Sequence, residues 1–476
     1  MNIRTLLCVA VGTFLTGAAV AATPETQVEQ FLRSEMAERQ IPGLQIVVIK
    51  HQKVILSKSF GIANVQHKVP VTQDSLFSIN SATKSFTGVA IMQLAERGKL
   101  DVAAPVSRYL DDLPAAWQAV TLTQLLNHTS GIPNIIDRST GKLFDGGPDM
   151  AWKTVQALPM EFVPGQRFSY NQTNYLLLGK IIDRLSGEPF LAFIQHRQFD
   201  AAKMAHSGFG DGQDVVMRKA NSYFLAGDGS GLKNVNEEFP AYLRTGAGIN
   251  ASATELAQWI IALQQQRLLN AHSLQQLWMP STFNDGKAAP WALGWPAIRA
   301  KEHRAVAGIG GGRSAFYVYP DDDLAVIVLT NLAGAQPEQL IDTVAGFYVP
   351  AIGKMNGSAY TLYRLRDRLG KTGFDELGQT LTQLMGEHGM SAPSEGDLNA
   401  WGYRLLSKQQ RKSAIEVLKL EAGLYPDSAN AHDSLAEAYE ADGASHLAVA
   451  HYRRTLALDP KNTHASARLA KLEPQT

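Results

Sequence analysis

Ser81 and Lys84 stand one helical turn apart in Phe77-Ser78-Ile79-Asn80-Ser81-Ala82-Thr83-Lys84-Ser85-Phe86, where a long apolar run begins. At a helix start this spacing places both side chains on one face. A serine hydroxyl is a poor nucleophile until a base within hydrogen-bond reach takes its proton. A lysine amine can be that base when burial and neighbouring positive charge depress its pKa toward neutrality. The serine amide, at the helix N-terminus, would then donate to a developing oxyanion. Together the two residues point to acyl transfer through a covalent serine ester.

The motif alone is weak, since Ser139/Lys142 and Ser230/Lys233 repeat the spacing. Those copies sit among Gly141, Gly146 and Gly147 or Gly227, Gly229 and Gly231, with no apolar helix behind them, and read as coincidences. Only the first pair opens a long amphipathic helix, expected from about Ala82 to Arg97 and stopped by Gly98. Leu44 to Phe60 predicts a β-hairpin turning at His51-Gln52-Lys53. Ser314–Tyr319 and Leu324–Thr330, joined by Pro320-Asp321-Asp322-Asp323, predict a second. Ser252 and Glu255 have the spacing of a capping box ahead of another helix. Strands at both ends with helices between predict an α+β domain over 22–350, its termini meeting in one antiparallel sheet.

Beyond Gly357 the strand signals stop and a 34-residue period takes over. Pro426 and Pro460, Leu424 and Leu458, Gly402 and Ala436, Ala414 and Ala448, and Leu418 and Tyr452 all follow it. The pattern looks like two tetratricopeptide repeats, 395–428 and 429–462, with a capping helix from Thr463 and a helical linker over 351–394. The alternative is an unrelated helical hairpin.

Lys+Arg and Asp+Glu both number 44 in a chain of 476 residues, so the net charge is zero. This argues against nucleic acid as a partner, because such affinity rests on neutralising phosphates. Arg4, the apolar run Leu6–Leu15 and Ala19-Val20-Ala21 read as a secretory signal over 1–21, cleaved near Ala21/Ala22. A periplasmic or secreted location follows, with no stable membrane span after cleavage; an N-terminal anchor is the alternative. The single cysteine, Cys8, falls inside that signal, so no disulfide, catalytic thiol or thiolate metal site is expected afterwards. The histidines show no metal spacing, and Gly370-Lys371-Thr372 has Leu365 where a phosphate loop needs its first glycine. No metal and no cofactor are expected.

The Ser81–Lys84 segment is accompanied by Leu125-Leu126-Asn127-His128-Thr129-Ser130-Gly131-Ile132-Pro133 and by Pro164-Gly165 leading to Phe168-Ser169-Tyr170. Asn174-Tyr175, Leu178-Gly179, Leu293-Gly294-Trp295 and Tyr319-Pro320 followed by Val328-Leu329-Thr330-Asn331 complete the set. In this order the motifs resemble the serine β-lactamase-like, penicillin-binding-protein family over residues 25–350. That family includes class C β-lactamases, DD-peptidases, D-aminopeptidases and family VIII esterases. The resemblance implies an antiparallel sheet flanked by helices with an inserted helical subdomain. It also implies catalytic Ser81, Lys84 and Tyr170. Tyr170 would be general base or proton shuttle, its phenol lowered by the nearby ammonium.

Gln172 stands where the family has Asn, and keeps an amide one methylene further out. The family's third element, a Lys-Thr-Gly or His-x-Gly, maps to Ile309-Gly310-Gly311, so the expected cation is missing. Gly312 would supply the second oxyanion amide. Arg313, in period-two register with Ile309 and Gly311, either restores a cation or is an ordinary solvated or salt-bridged arginine. By the same resemblance His128 is structural. The expected function is an exported serine hydrolase acting on an ester, amide or β-lactam of a small-molecule or peptide acyl substrate, with efficient β-lactamase activity disfavoured by Ile309. The alternative is a catalytically weak module that recruits a partner through its repeats, or a tail that serves as brace or self-association surface.

Overall fold

The computed structural model describes residues 23–472 other than 228, 229, 300, 356 and 389, so the expected leader lies outside the described residues. Helix α1 (Pro24–Arg39) is followed by a hairpin of β1 (Gly43–Lys50) and β2 (Lys53–Asn64). Its turn is His51-Gln52, both left-handed (φ 50° and 55°), the geometry that matches the twist of paired strands. A short β3 (Val69–Pro70) edges β2. The other half of the sheet comes from the far end of the domain: β4 (Ala297–Arg299), β5 (Ala305–Gly310), β6 (Ser314–Tyr319) and β7 (Leu324–Thr330). The order is β3-β2-β1-β7-β6-β5-β4, antiparallel throughout. First and last long strands meet at the centre, from Leu44 opposite Thr330 to Lys50 opposite Leu324.

The pleat sends alternate residues of β1 to opposite layers. Leu44, Ile46 and Val48 pack with α1 and with α5 (Glu338–Tyr348). Val47 and Ile49 face the helical layer holding α2 (Thr83–Glu96), α3 (Gln172–Ser186) and α4 (Ala253–Gln264). With both faces covered, β1 reads as a continuous apolar run rather than an alternating one.

The expected amphipathic helix after Ser81 is buried on every side, Thr83 through Leu94 without interruption. Gly88 is needed there, because a Cβ would stand 2.3 Å from the Leu293 carbonyl oxygen. The capping box at Ser252 forms only by half. Ser252 accepts from the Glu255 amide at 3.1 Å, but the Glu255 carboxylate turns to the His206 amide at 2.8 Å and the Ser207 hydroxyl at 2.6 Å.

After α5 the chain is helical: α6 (Pro350–Met355), α7 (Gly357–Thr372), α8 (Leu377–His388), α9 (Glu395–Ser407), α10 (Arg411–Leu424), α11 (Ala429–Ala441), α12 (Ser445–Leu458) and α13 (Thr463–Leu472). Both ends of α9 and α10 recur 34 residues later in α11 and α12. Gly402 lies where the first pair touches, since a Cβ would meet Leu418 at 2.5 Å. Among the described residues, no helix is long and apolar enough to cross a membrane.

The tail is fastened to α1. Glu35, 1% exposed, is held between Arg39 and Arg366, while Glu38 takes Arg404 at 3.1 Å and Lys408 at 2.7 Å. Burial alone would raise the Glu35 pKa; the Arg366 and Arg39 guanidiniums outweigh it and hold the carboxyl below its ordinary value. Removing one partner of a buried pair leaves an uncompensated charge. Glu35→Ala is therefore expected to lower stability in urea denaturation by about 3–5 kcal/mol, and to open the 357–390 segment to limited proteolysis.

Candidate active site

The turn carrying Ser81 begins with a left-handed residue. Asn80 (φ 49°) swings the chain from the short strand Phe77–Ser78 into one 3₁₀ turn, Asn80–Ala82, that runs into α2. Asparagine tolerates this conformation because its short amide bonds locally. Here its nitrogen donates to the Ser78 carbonyl at 3.1 Å and its oxygen accepts from Arg313 at 3.0 Å. Arg313 is in turn paired with Glu237 at 2.7 Å, both buried, and Glu237 also takes Lys219 at 2.7 Å and the Ser222 hydroxyl at 2.8 Å. From the sheet side, Ser314 donates to the Ile79 carbonyl at 2.8 Å. Gly310 lies so close that a Cβ would be 1.9 Å from that same oxygen.

Ser81 is part-exposed in the middle of this turn. Lys84, one turn on, is wholly buried; its Nζ donates to the Gly246 carbonyl at 2.9 Å and lies 4.8 and 5.0 Å from the ring centres of Tyr170 and Tyr175. Burial pushes its pKa down to about 7, without the neighbouring cation expected to help. Gly246 leaves room for both side-chain ends, since a Cβ would stand 3.0 Å from Lys84 Nζ and 2.8 Å from the Gln172 amide oxygen and would push them aside.

Tyr170 faces both the Ser81 and the Gln172 side chains. Its hydroxyl is shut from solvent and makes no well-aligned hydrogen bond. Burial raises its pKa well above the ordinary phenol value, and the pulls of Ser81 and Gln172 in the other direction do not win. This corrects the expectation of a lowered phenol: Lys84 lies over the ring face, where it does not offset desolvation of a phenolate.

Tyr170 rests on the His128 ring, centres 4.5 Å apart, within a cage completed by Phe168, Tyr175 and Trp291. The Asn171 amide donates to His128 Nδ1 at 3.1 Å, which leaves the proton on Nε2. Burial first, and the Lys84 charge second, hold His128 well below the usual imidazole pKa. Gln172 opens α3 and donates its amide to the Asn134 side chain at 3.1 Å.

Within the glycine-rich segment the structure moves Ile309 and resolves Arg313. Ile309 pairs with Ala315 and packs into the α1–α5 layer, so its side chain lies on the far face from Ser81. The positions of β5 that face the helical layer are Val306, Gly308, which the Phe316 ring covers, and Gly310. Arg313 is not in strand register, because Gly311 and Gly312 (φ 57° and 59°) turn the chain before β6. It is the salt-bridged arginine of the second reading, buried and paired with Glu237, which it shares with Lys219. Gly312 packs against Gly334 and accepts the Gln336 amide at 2.9 Å, whereas Gly310 and Gly311 abut Ile79 and Asn80.

The two coincidental motifs lie off helices. Ser139 hydrogen-bonds Asp137 at 2.7 Å in a turn, and Lys233 is in the short strand Leu232–Asn234. Sequence reasoning missed Asn80, Glu237, Asn134 and Gly246. Their roles come from long-range contacts that carry no local pattern. Among the described residues, one cluster has metal-ligand composition, Asp433, Glu437 and His464 on the tail. Both His464 nitrogens are already engaged there, with Asp433 at 2.9 Å and Glu437 at 3.2 Å.

A family model described as Beta-lactamase matches residues 28–349. Protein flp of Staphylococcus aureus (strain N315) is 26% identical over 336 residues, 67% of this chain and 65% of that protein. This chain therefore spans about two thirds of the length of that relative. Among solved structures, an octameric penicillin-binding protein homologue from Pyrococcus abyssi superposes with a TM-score of 0.60 at 26% identity, covering 71% of this chain and 81% of that one. A penicillin binding protein from Bacillus halodurans gives 0.55 at 28% identity, covering 64% and 95%.

A buried amine with a pKa of about 7 makes a specific prediction. Fluorophosphonate labelling of Ser81 is expected to rise with pH through a single midpoint near 7 and then hold level, with Tyr170 still protonated. The folded pKa lies below the ordinary 10.5 of the unfolded chain, so between those values the unfolded state binds more protons and stability rises with pH. Lys84→Met should lose the labelling and, in denaturation across the same pH range, lose that rise.

Proposed function

The chain belongs to the Beta-lactamase family, and on that premise we propose that it hydrolyses an acyl substrate through a covalent ester on Ser81. The observation that carries this reading is the buried Lys84 amine with a pKa of about 7, enclosed with Tyr170 beside the Ser81 turn. At neutral pH a large fraction of it is uncharged and able to accept a proton. Ser81 Oγ attacks the acyl carbon while its proton passes to Lys84, directly or through the Tyr170 hydroxyl. The raised phenol pKa makes Tyr170 a relay that stays protonated rather than a resting base. The same proton goes to the leaving group, and water, activated by the same amine, cleaves the acyl ester. The Ser81 amide and the glycine backbone at the end of β5 are the oxyanion donors of this scheme.

The substrate class follows from charge. Gly308 and Gly310 occupy strand positions facing the helical layer, Arg313 is neutralised by Glu237, and Lys84 is bonded to Gly246. A neutral ester or amide suits that surface better than a β-lactam or D-alanyl peptide, whose carboxylate needs a cation. The same features, with Gln172 in place of Asn, favour slow turnover, and a weakly catalytic recruiting module is the second reading.

The rest of the proposal is architectural. Residues 1–21 act as an export signal to the periplasm or exterior, 22–350 form the hydrolase domain, 351–394 link, and 395–476 form tetratricopeptide repeats. The 34-residue offset of the helix pairs supports the repeats. They serve a protein partner or self-association.

The test is turnover of p-nitrophenyl butyrate against hydrolysis of nitrocefin, a carboxylated β-lactam. Ester cleavage should exceed β-lactam cleavage, and Ser81→Ala should abolish ester cleavage together with the acyl-enzyme mass shift. Full activity in that variant removes the nucleophile assignment. Faster nitrocefin cleavage removes the substrate class.

A further inference from the structure

Behind the sheet, away from Ser81, a cavity of about 270 Å³ opens where α1, α5, α6 and α7 meet. Gly346 and Gly353 let α5 and α6 approach so closely that a Cβ on either would stand 2.7 or 3.2 Å from the other's Cα. Phe347 supplies an apolar wall. Thr343, 3% exposed, closes the floor of the cavity.

Two cations, Lys354 and Arg364, complete the lining. Arg364 donates to the Tyr360 hydroxyl at 3.2 Å. Among the described residues neither cation has a carboxylate partner, unlike Arg366 and Arg404 close by. A largely apolar chamber with two unneutralised cations has the composition of a site for an amphipathic anion. At ~30 Å³ per water-sized group, the space takes on the order of ten heavy atoms.

We propose that this cavity binds a small amphipathic carboxylate of medium chain length, its chain against Phe347 and its head group between Lys354 and Arg364. The site is separate from Ser81 and does not rest on the hydrolase reading. It lies at the junction of the sheet domain and the helical tail, so its occupant would touch both.

Titration calorimetry of the full chain with sodium octanoate tests it, with octan-1-ol and octylammonium as neutral and cationic comparators. Octanoate should bind at a single site, with both comparators weaker by at least about tenfold. The combined variant Lys354→Gln, Arg364→Gln should weaken octanoate by a similar factor; both side chains reach solvent, so folding is expected to survive. Ser81→Ala should leave binding unchanged, which separates this site from a product acid held at the nucleophile. The proposal is overturned by no saturable heat up to about 10 mM octanoate, by octanol binding as tightly, by full binding in the double variant, or by its loss in Ser81→Ala.

Discussion

The burial of one amine governs the rest of this structure. Lys84 sits on a helix with no solvent-facing side, and an ammonium in such a place is strongly disfavoured unless it gives up its proton. The compensation is a single carbonyl, that of Gly246, and two aromatic faces. That is enough to seat the charged form at low pH and too little to keep it charged at neutrality. A hydrogen-bonded carboxylate beside it would hold the amine protonated through neutral pH. The site is thus a deliberate local weakness, held in place by the tightly packed layer around it.

Holding Ser81 in place falls to parts distant in sequence. Asn80 carries the left-handed turn, Arg313 fixes the Asn80 amide, and Glu237 fixes Arg313. Glu237 comes from the irregular stretch between α3 and α4, so the loops of the inserted region are tied directly to the turn bearing Ser81. On the other side, Gly310 and Ser314 clamp the Ile79 carbonyl from the sheet. The turn bearing Ser81 is thus held from two sides rather than by its own helix alone.

Local pattern made the hairpins, the helix after Ser81, the 34-residue period and the meeting of terminal strands legible before any coordinates. Each rests on short-range chemistry: turn residues, β-branched runs, small residues at helix crossings. The phase of the strand ending at Gly310 was not legible. A string of glycines carries no apolar alternation, so nothing local told which face Ile309 would take. The register offered for Arg313 failed for a related reason, since two left-handed glycines ended the strand, whereas its salt-bridged reading is the one the Glu237 pair bears out. The direction of the Tyr170 shift was missed because it depends on how completely a hydroxyl is enclosed, a property of the whole fold. Asn80 and Glu237 left no trace in their own neighbourhoods.

The adjacency of β1 and β7 orders events in time as well as in space. β1 is among the most apolar strands in the chain, yet its partner along one edge is made some 280 residues later. Throughout synthesis that edge stays open, and the sheet cannot close until Leu324–Thr330 has emerged. Such distant closure makes for slow assembly and a long-lived sticky intermediate. A chain of this topology depends on being kept unfolded, or shielded, until its last strand arrives.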